Sequence, residues 1–276
     1  QSNRYRYRKA NYRLRIIMNK ISTFQEVINS KIEKIKIAGK PEELYDPINY
    51  ILSLKSKRVR PILSLLSFSL FEEDLDKITG PSIALEFFHN FTLIHDDIMD
   101  NADMRRGKVT IHKKWDQNIG ILSGDLLMIF AFKMLEDIEE ESFKKTFKRF
   151  NNIAIKVCEG QQYDMNFETK NQISEEEYLS MITLKTAVLI GFSLELGGLI
   201  ANQKKKINEK LYNAGEKIGI SFQLMDDYLD VFGSAEFGKK IGGDISSNKK
   251  TYLIIKLLEK ANTVDRNNIL KLMNNN

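Results

Sequence analysis

The sequence contains two aspartate clusters with the same spacing, each following an apolar stretch. They read DDIMD at residues 96–100 and DDYLD at residues 226–230. On a helix, residues i and i+4 share a face roughly 6 Å apart, so Asp96 can pair with Asp100 and Asp226 with Asp230. Mg²⁺ prefers oxygen ligands and is often shared between one or two carboxylates and substrate phosphates. Two such pairs facing each other would hold a magnesium-bound polyphosphate.

Basic residues accompany both motifs and form an earlier group of their own. Arginine suits phosphate because its planar fork donates parallel hydrogen bonds, whereas lysine acts as a point charge. Carboxylates together with several cations favour a substrate with more than one phosphate group. Taken singly, an acidic cluster is also typical of a solvated face, and each basic residue of a surface charge. The cations are Lys57, Arg58, Arg60, Arg105, Arg106, Lys239, Lys240, Lys249 and Lys250.

All three histidines, His89, His95 and His112, lie close to the first cluster. His95 next to Asp96 raises the alternative of a metal-dependent phosphohydrolase of the HD type. That pattern needs another metal-binding histidine well upstream, and no histidine precedes His89. For His95 and His112, capping or hydrogen bonding within a helix is the simpler interpretation.

The elements that carry these residues are predicted to be helices. Residues 82–276 contain no proline, so helices can run long there. Apolar residues recur at intervals of three and four, as in residues 179–196, and no alternating strand pattern between Asn-Gly or Asp-Gly turns occurs. Ser174 with Glu177 predicts a capping box at a helix start. We predict an all-α protein with breaks at the polar stretches 72–81, 101–110, 167–177, 202–210 and 232–250.

Composition and charge narrow the class of protein. The 276 residues are 42% hydrophobic, which is enough for a sizeable core. The net charge is +5, but residues 1–17 hold six basic residues and no acid, so the remainder carries −1 and no nucleic-acid surface is indicated. Cys158 is the one cysteine, which excludes an internal disulfide and fits a cytoplasmic location. The apolar run 187–201 is short and contains Glu195, so we expect no transmembrane segment.

The first residues set the predicted domain boundaries. Gln-Ser-Asn at the start resembles the scar of a cleavable tag, and Met18 would make a natural start. We interpret residues 1–17 as a tag scar with a non-native basic leader and residues 18–276 as a single all-helical domain.

Taken in order, the motifs resemble those of the trans-isoprenyl diphosphate synthases, the polyprenyl synthetase family. The likeness covers residues 50 to about 256, and several motifs in one order are more specific than either aspartate cluster alone. The matching segments are SKRVRP, EFFHNFTLIHDDIMDNADMRRGKVTIH, LSGDLLMIFAF, EGQQYD, KTA, FQLMDDYLD and GKKIGGDISSNKKTY.

The resemblance implies a single-domain helical bundle around a deep central cavity, usually in a homodimer. Such enzymes join an allylic diphosphate, such as dimethylallyl or geranyl diphosphate, to isopentenyl diphosphate with several Mg²⁺ ions. The principal magnesium-binding positions are Asp96, Asp100 and Asp226, and Asp97 and Asp230 complete the motifs. Positions that hold isopentenyl diphosphate are Lys57, Arg60, His89 and Arg106. Those that contact the allylic diphosphate are Arg105, Lys185, Lys249 and a lysine at 239 or 240.

The implied mechanism proceeds through an allylic carbocation. Magnesium and lysine neutralise the charge on the leaving diphosphate, and the isopentenyl double bond then attacks the cation. The Lys185–Thr186 backbone and the Gln223 side chain would present oxygen dipoles to that cation. The released diphosphate accepts the proton, and water must be excluded because it would quench the cation.

Aromatic residues before the first motif bear on product length. Phe91 and Phe88 lie five and eight residues before Asp96. At these positions they would form the floor of the cavity that receives the growing hydrocarbon. An aromatic residue at 91 resembles farnesyl-producing members, although Thr92 follows where some carry a second aromatic. We therefore predict farnesyl diphosphate as product, with geranylgeranyl diphosphate as the alternative. For Phe88, ordinary core packing is an equal interpretation.

Two features depart from the family pattern. Lys55-Ser56 replace the usual Gly-Gly before Lys57, and the sequence stops at Asn276, where the family normally continues through further helices that help cover the site. Either the sequence is truncated at the C-terminus or the site is closed differently. Two other classes stay open. A class I terpene cyclase has a second metal motif of mixed Asn/Ser/Glu type, unlike DDYLD. A non-catalytic diphosphate-binding subunit of a heteromeric synthase typically lacks one acidic motif, and both are present here.

Overall fold

Helices make up most of the described residues, as the apolar spacing predicts. The structure, a computed structural model, describes residues 2–170, 172–233, 243–246 and 249–274. The elements up to residue 133 are α1 (Ser2–Lys34), α2 (Glu42–Ser53), α3 (Val59–Phe68), α4 (Asp76–Met99), β1 (Met104–Arg105), β2 (Lys108–Val109), α5 (Ile111–Lys114) and α6 (Gln117–Lys133). The rest are α7 (Glu140–Glu168), α8 (Glu175–Ile182), a π-helix (Thr183–Ala187), α9 (Val188–Ile200), α10 (Lys205–Phe232), α11 (Gly243–Ser246), α12 (Tyr252–Lys260) and α13 (Thr263–Asn274).

The chain forms two compact units. The first comprises residues 1–146 and 193–208, and the second comprises residues 147–192 and 209–276. The expected long helices are present, because α7 has 29 residues and α10 has 28. The predicted single domain over residues 18–276 stays a prediction.

The core of the first unit is built around α4, which packs against α3 and α6. Its side chains at Ile83, Leu85 and Phe87 are buried, and burial of such side chains is the main favourable term in folding. The polar stretch 72–81 was predicted to be a break, but α4 already begins at Asp76. Pro81 removes only one backbone hydrogen bond near the helix start, and the apolar residues after it bury the helix all the same.

A short β-hairpin follows α4, where the sequence predicts only a polar break. Met104 pairs with Val109 and Arg105 with Lys108 in an antiparallel ladder. The two turn residues, Arg106 and Gly107, have φ angles of 53° and 73°. Two consecutive positive φ angles are what a type I′ hairpin turn requires, and glycine adopts them without steric cost. The strands are too short for an alternating pattern to reveal them.

The second unit has its core between the end of α7, α8 and α12. Phe167, Tyr178, Ile182 and Ile255 belong to one buried cluster. The predicted capping box is confirmed, since the Ser174 hydroxyl accepts from the Glu177 N–H at 3.1 Å and the Glu177 carboxylate accepts from the Ser174 N–H at 2.8 Å.

The helix formed by α8, the π-helix and α9 is long and apolar enough to cross a membrane, judged by length and composition alone. The apolar run within it was expected to be too short to do so. Within its most apolar stretch, 61% is buried inside the protein, and such burial is typical of a core helix. No membrane is needed to explain its composition.

Candidate active site

The first acidic motif lies where α4 ends. The helix stops at Met99, and the amide of Asp100 still donates to the carbonyl of Asp96 at 2.8 Å. The helical i, i+4 spacing therefore holds through Asp100, as predicted. Asp96 is half-buried and Asp100 is exposed. This end of α4 presents two carboxylates, which are hard oxygen donors of the kind that Mg²⁺ prefers.

Asp97, the next residue, is buried, with only 2% of its surface exposed. Arg105 of the hairpin donates to its Oδ1 from Nε at 2.9 Å and from Nη2 at 2.6 Å, and the same Nη2 reaches Asp96 Oδ2 at 3.3 Å. Burial raises the pKa of Asp97 to about 6, against the lowering effect of Arg105. The structure thus pairs Asp97 with Arg105, whereas Asp96 and Asp100 stand closer to solvent.

A second cluster in the same unit combines arginines with one buried carboxylate, that of Glu86. Arg58 Nη1 lies 2.7 Å from Glu86 Oε1, with the two side chains 4% and 2% exposed. Arg106 Nη2 lies 4.0 Å from the same oxygen, and Arg106 Nη1 donates to Asn90 Oδ1 at 3.2 Å. Asn90 is itself held by Glu86 through Nδ2 at 3.1 Å. Arg58 is thus a buried structural residue.

Arg60 and His89 complete this arginine cluster. Burial lowers the pKa of Arg60 to about 10, while Glu86 raises it and Arg106 lowers it. Among the described residues, the buried Nε of Arg60 has no hydrogen-bond partner. Burial also lowers the pKa of His89 well below its usual value, and nearby arginines lower it further. A neutral histidine and an arginine with an unused donor are suited to an anion, which could accept that hydrogen bond.

Lys57 is exposed at the edge of this region, and its carbonyl accepts from Gln25 Nε2 at 3.5 Å. The structure therefore brings together Arg60, His89 and Arg106, but it leaves the Lys57 side chain toward solvent.

In the second unit, the predicted catalytic residues lie on and beside the π-helix. Lys185 Nζ donates to Asp164 Oδ2 at 2.6 Å. Thr186 Oγ1 donates to Gln223 Oε1 at 3.2 Å, which joins the π-helix to α10. Single-turn π-helices are frequent at functional sites. The residues Lys185, Thr186 and Gln223 are thus brought together, as their assignment to one reaction centre requires.

The π-helix is packed between two glycines. A Cβ at Gly160 of α7 would lie 2.2 Å from the backbone nitrogen of Lys185, and one at Gly219 of α10 would lie 2.5 Å from Ala187 Cα. Both distances are far inside van der Waals contact. Glycine is therefore required at these positions for the flanking helices to approach the catalytic turn.

The three aspartates of the second acidic motif differ in how deeply they are buried. Asp226 is half-buried, whereas Asp227 and Asp230 are buried, at 3% and 4% exposure. Burial raises the pKa of Asp227, while hydrogen bonds from Tyr178, Tyr252 and Gln223 lower it. Lys249 is half-buried. The predicted lysines at 239 and 240 lie outside the described residues.

The carboxylates fit magnesium shared with a substrate better than a closed metal cage. Among the described residues, no three His, Cys, Asp or Glu side chains are grouped closely enough to hold a metal ion by themselves. Mg²⁺ that bridges a diphosphate needs only one or two protein carboxylates. Asp96 and Asp100 in the first unit, and Asp226 in the second, can each supply such a ligand.

The aromatic residues before the first motif pack against one another. The ring centroids of Phe88 and Phe91 are 5.5 Å apart, and those of Phe91 and His95 are 4.8 Å apart. His95 Nε2 lies 3.2 Å from the carbonyl oxygen of Ile121. Gly124 permits this position, because a Cβ there would lie 2.5 Å from His95 Nε2. His95 on α4 therefore contacts α6, whereas the sequence predicts capping or hydrogen bonding within its own helix.

Sequence reasoning missed several residues that hold these side chains in place. Glu86 and Asn90 are separated by four residues within an otherwise apolar stretch, and that spacing was an available signal. Asp164 stands in the motif EGQQYD without a partner that the sequence identifies. The missed residues are Glu86, Asn90, Asp164, Tyr178, Asp227 and Tyr252.

Comparisons with known proteins identify the family of the chain. The profile of the polyprenyl synthetase family matches residues 41–276. A geranylgeranyl pyrophosphate synthase of Geoglobus acetivorans is 39% identical over 86% of this chain and 75% of its own length. A geranylgeranyl diphosphate synthase of Methanosarcina mazei is 35% identical over 91% of this chain and 79% of its own.

Solved structures give the same result. A crystal structure of a geranylgeranyl pyrophosphate synthase has 47% identity and a TM-score of 0.85, covering 93% of this chain and 77% of that one. The synthetase from Pyrococcus horikoshii has 34% identity and a TM-score of 0.87, covering 92% and 80%. The chain belongs to the polyprenyl synthetase family. It is a prenyltransferase of the short-chain isoprenyl diphosphate synthase type, as the motifs predict.

Proposed function

We propose that this chain condenses isopentenyl diphosphate with allylic diphosphates and that its end product is the twenty-carbon geranylgeranyl diphosphate. The arginine cluster around Glu86, with its neutral histidine and the unused donor of Arg60, is the observation that carries the proposal, because it is suited to a buried diphosphate. For product length, relatives 39%, 35% and 39% identical are named as geranylgeranyl synthases. They favour the alternative over the farnesyl diphosphate first predicted from Phe91.

Isopentenyl diphosphate is assigned to the arginine cluster of the first unit. Arg60 and Arg106 would bind its phosphates, with Lys57 joining from the exposed edge. His89, being neutral, can donate one hydrogen bond without adding to the positive charge of the neighbouring arginines. Glu86 offsets part of that charge in the free protein.

The allylic diphosphate is assigned to the acidic motifs and their cations. Asp96, Asp100 and Asp226 would hold Mg²⁺, which when bound neutralises negative charge on the leaving diphosphate. Arg105 and Lys185 contribute positive charge to the same group. Asp97 and Asp230 complete the two acidic motifs. Lys249 and a lysine at 239 or 240 would add further positive charge beside the diphosphate.

The allylic carbocation is assigned to oxygen atoms at the π-helix. Gln223 Oε1 and the backbone carbonyls of Lys185 and Thr186 carry negative partial charge that stabilises a cation. Thr186 and Gln223 are already joined by a 3.2 Å hydrogen bond, so these oxygens need little rearrangement when charge develops. Such preorganisation is usually a large part of enzymatic rate enhancement.

We propose a homodimer in the cytoplasm as the working form. The α6 helix exposes Leu122 and Ile129, each 58% exposed and seven residues apart, so they lie on one face. An apolar face of this kind supports association with a second copy. Light scattering after size-exclusion chromatography tests it, and a monomer at micromolar concentration would contradict it.

A condensation assay tests the activity and the metal ligands together. Asp96→Asn and Asp226→Asn should each lower kcat by about 100-fold or more, because Lewis-acid stabilisation contributes several kcal/mol. Asp103→Asn is the matched control, since Asp103 is 81% exposed and pairs with Lys113 at 3.2 Å. It should retain near-normal activity. No condensation by folded wild-type protein that still binds diphosphates would instead indicate a non-catalytic binding subunit.

A further inference from the structure

Asp227, the middle aspartate of DDYLD, is surrounded by hydrogen-bond donors from its own protein. Gln223 Nε2 donates to its Oδ1 at 3.3 Å. Its Oδ2 accepts from the Tyr178 hydroxyl at 2.5 Å and from the Tyr252 backbone N–H at 2.9 Å. Asp227 is only 3% exposed, and its carboxylate makes these hydrogen bonds within the protein. The spacing of the motif would otherwise rank it with the metal ligands.

The contact with Gln223 determines which way round the glutamine amide lies. An ionised carboxylate only accepts hydrogen bonds, so the –NH₂ end of the amide must face Asp227. The carbonyl end must then face the other way, where Oε1 accepts from Thr186 Oγ1 at 3.2 Å. The two ends of a side-chain amide have the same shape, so only a hydrogen-bonding partner can distinguish them.

We propose that Asp227 is a positioning residue that orients the Gln223 amide so that its carbonyl oxygen is presented to the allylic carbocation. This inference rests on the proposed function of Gln223. Tyr178 and Tyr252 fix the carboxylate from α8 and from the start of α12, so that it cannot turn away from the amide. The opposite orientation of Gln223 would present a positive N–H to the developing cation and oppose the reaction.

The proposal predicts a specific defect in Asp227→Asn. The new side-chain amide would accept from both tyrosines through its carbonyl and would turn its –NH₂ toward Gln223. Two –NH₂ groups cannot hydrogen-bond to each other, so the glutamine amide reverses and its nitrogen takes the place of Oε1. Loss of one oriented dipole at a reacting centre lowers kcat by about 100-fold, as for single donors in oxyanion holes. The magnesium concentration that gives half-maximal activity should stay within about twofold of that of wild type.

A second substitution should restore activity without restoring the carboxylate at position 227. A glutamate side chain at position 223 has oxygen at both ends. In Asp227→Asn/Gln223→Glu, one of these oxygens accepts from the introduced asparagine amide and the other faces Thr186. We expect kcat to recover to within about 10-fold of wild type. Gln223→Glu alone places two carboxylates together and should be impaired. A magnesium-binding role for Asp227 predicts the reverse, with no recovery in the double variant and a raised magnesium requirement.

The experiment is steady-state condensation for wild type, both single variants and the double variant over a magnesium titration, with folding checked by circular dichroism. Recovery in the double variant supports the proposal, and absence of recovery overturns it. Should Asp227→Asn fail to fold, the double variant decides alone, and its loss of folding or activity overturns the proposal. An inactive wild type would contradict the proposed function, whereas an active wild type without recovery contradicts only the role of Asp227.

Discussion

Among single side chains, His89 is the one whose surroundings make a pH-dependent prediction. Its pKa is lowered by burial and by neighbouring arginines. Below about pH 6.5 the unfolded chain therefore binds a proton that the folded protein does not. The free energy of unfolding should fall with decreasing pH by about 1.4 kcal/mol per pH unit from this group, until the folded pKa is reached.

Replacing His89 isolates that effect. In His89→Asn the contribution is absent, so the difference from wild type should be constant above about pH 7.5 and should change steadily as the pH falls below about 6.5. Urea denaturation at several pH values measures it, and the carboxylates common to both proteins cancel in the difference. Parallel pH profiles for wild type and variant would show that folding does not lower the pKa of His89.

Among the described residues, Glu86 provides the only carboxylate in contact with Arg58, whose side chain is 4% exposed. Glu86→Gln would leave the Arg58 guanidinium buried with no opposite charge, and breaking a buried pair in this way typically costs about 3–5 kcal/mol. Glu139→Gln is the control, because its pair with Lys77 at 3.2 Å is exposed and should contribute at most about 1 kcal/mol. Urea denaturation of both variants compares them. Equal losses would show that burial of the Arg58–Glu86 pair does not govern its contribution.

Among the elements, the π-helix is the one whose position depends most directly on its neighbours. In an ordinary helix interior Gly→Ala is stabilising by about 1 kcal/mol. At Gly160 a Cβ would lie 2.2 Å from backbone, so Gly160→Ala should instead destabilise by about 3 kcal/mol and displace Lys185. Glu159→Ala, at the adjacent exposed position, should stay within about 0.5 kcal/mol of wild type. Thermal unfolding measures both, and a stabilised Gly160→Ala would contradict the close packing.

For the molecule as a whole, the sequence predicted what depends on local spacing. The i, i+4 pair Asp96 and Asp100, the capping box at Ser174 and the long helices α7 and α10 follow from helical periodicity, which needs no knowledge of the tertiary fold. The helix ends were less accurate where burial overrides local signals, as at Pro81. The pairs Arg58–Glu86 and Lys185–Asp164 join residues 28 and 21 positions apart, and no local rule predicts them.

The hairpin after α4 illustrates the same limit at the site itself. Arg105 and Arg106 are neighbours in sequence, yet one pairs with Asp97 and the other lies beside Glu86 and Asn90. This division follows from the turn at Arg106 and Gly107, where φ is positive at both residues. Composition alone identified two cations. Only the backbone geometry shows that they serve different groups.

The length of the product is the decisive property of the whole molecule. Purified wild-type protein would be given magnesium, labelled isopentenyl diphosphate and, in separate reactions, dimethylallyl, geranyl or farnesyl diphosphate, and the products would be resolved by chain length. We predict that all three starters are extended and that the twenty-carbon diphosphate accumulates as the end point. Accumulation of the fifteen-carbon product, with farnesyl diphosphate left unextended, would contradict the proposed product. It would instead support Phe91 as the residue that limits chain length.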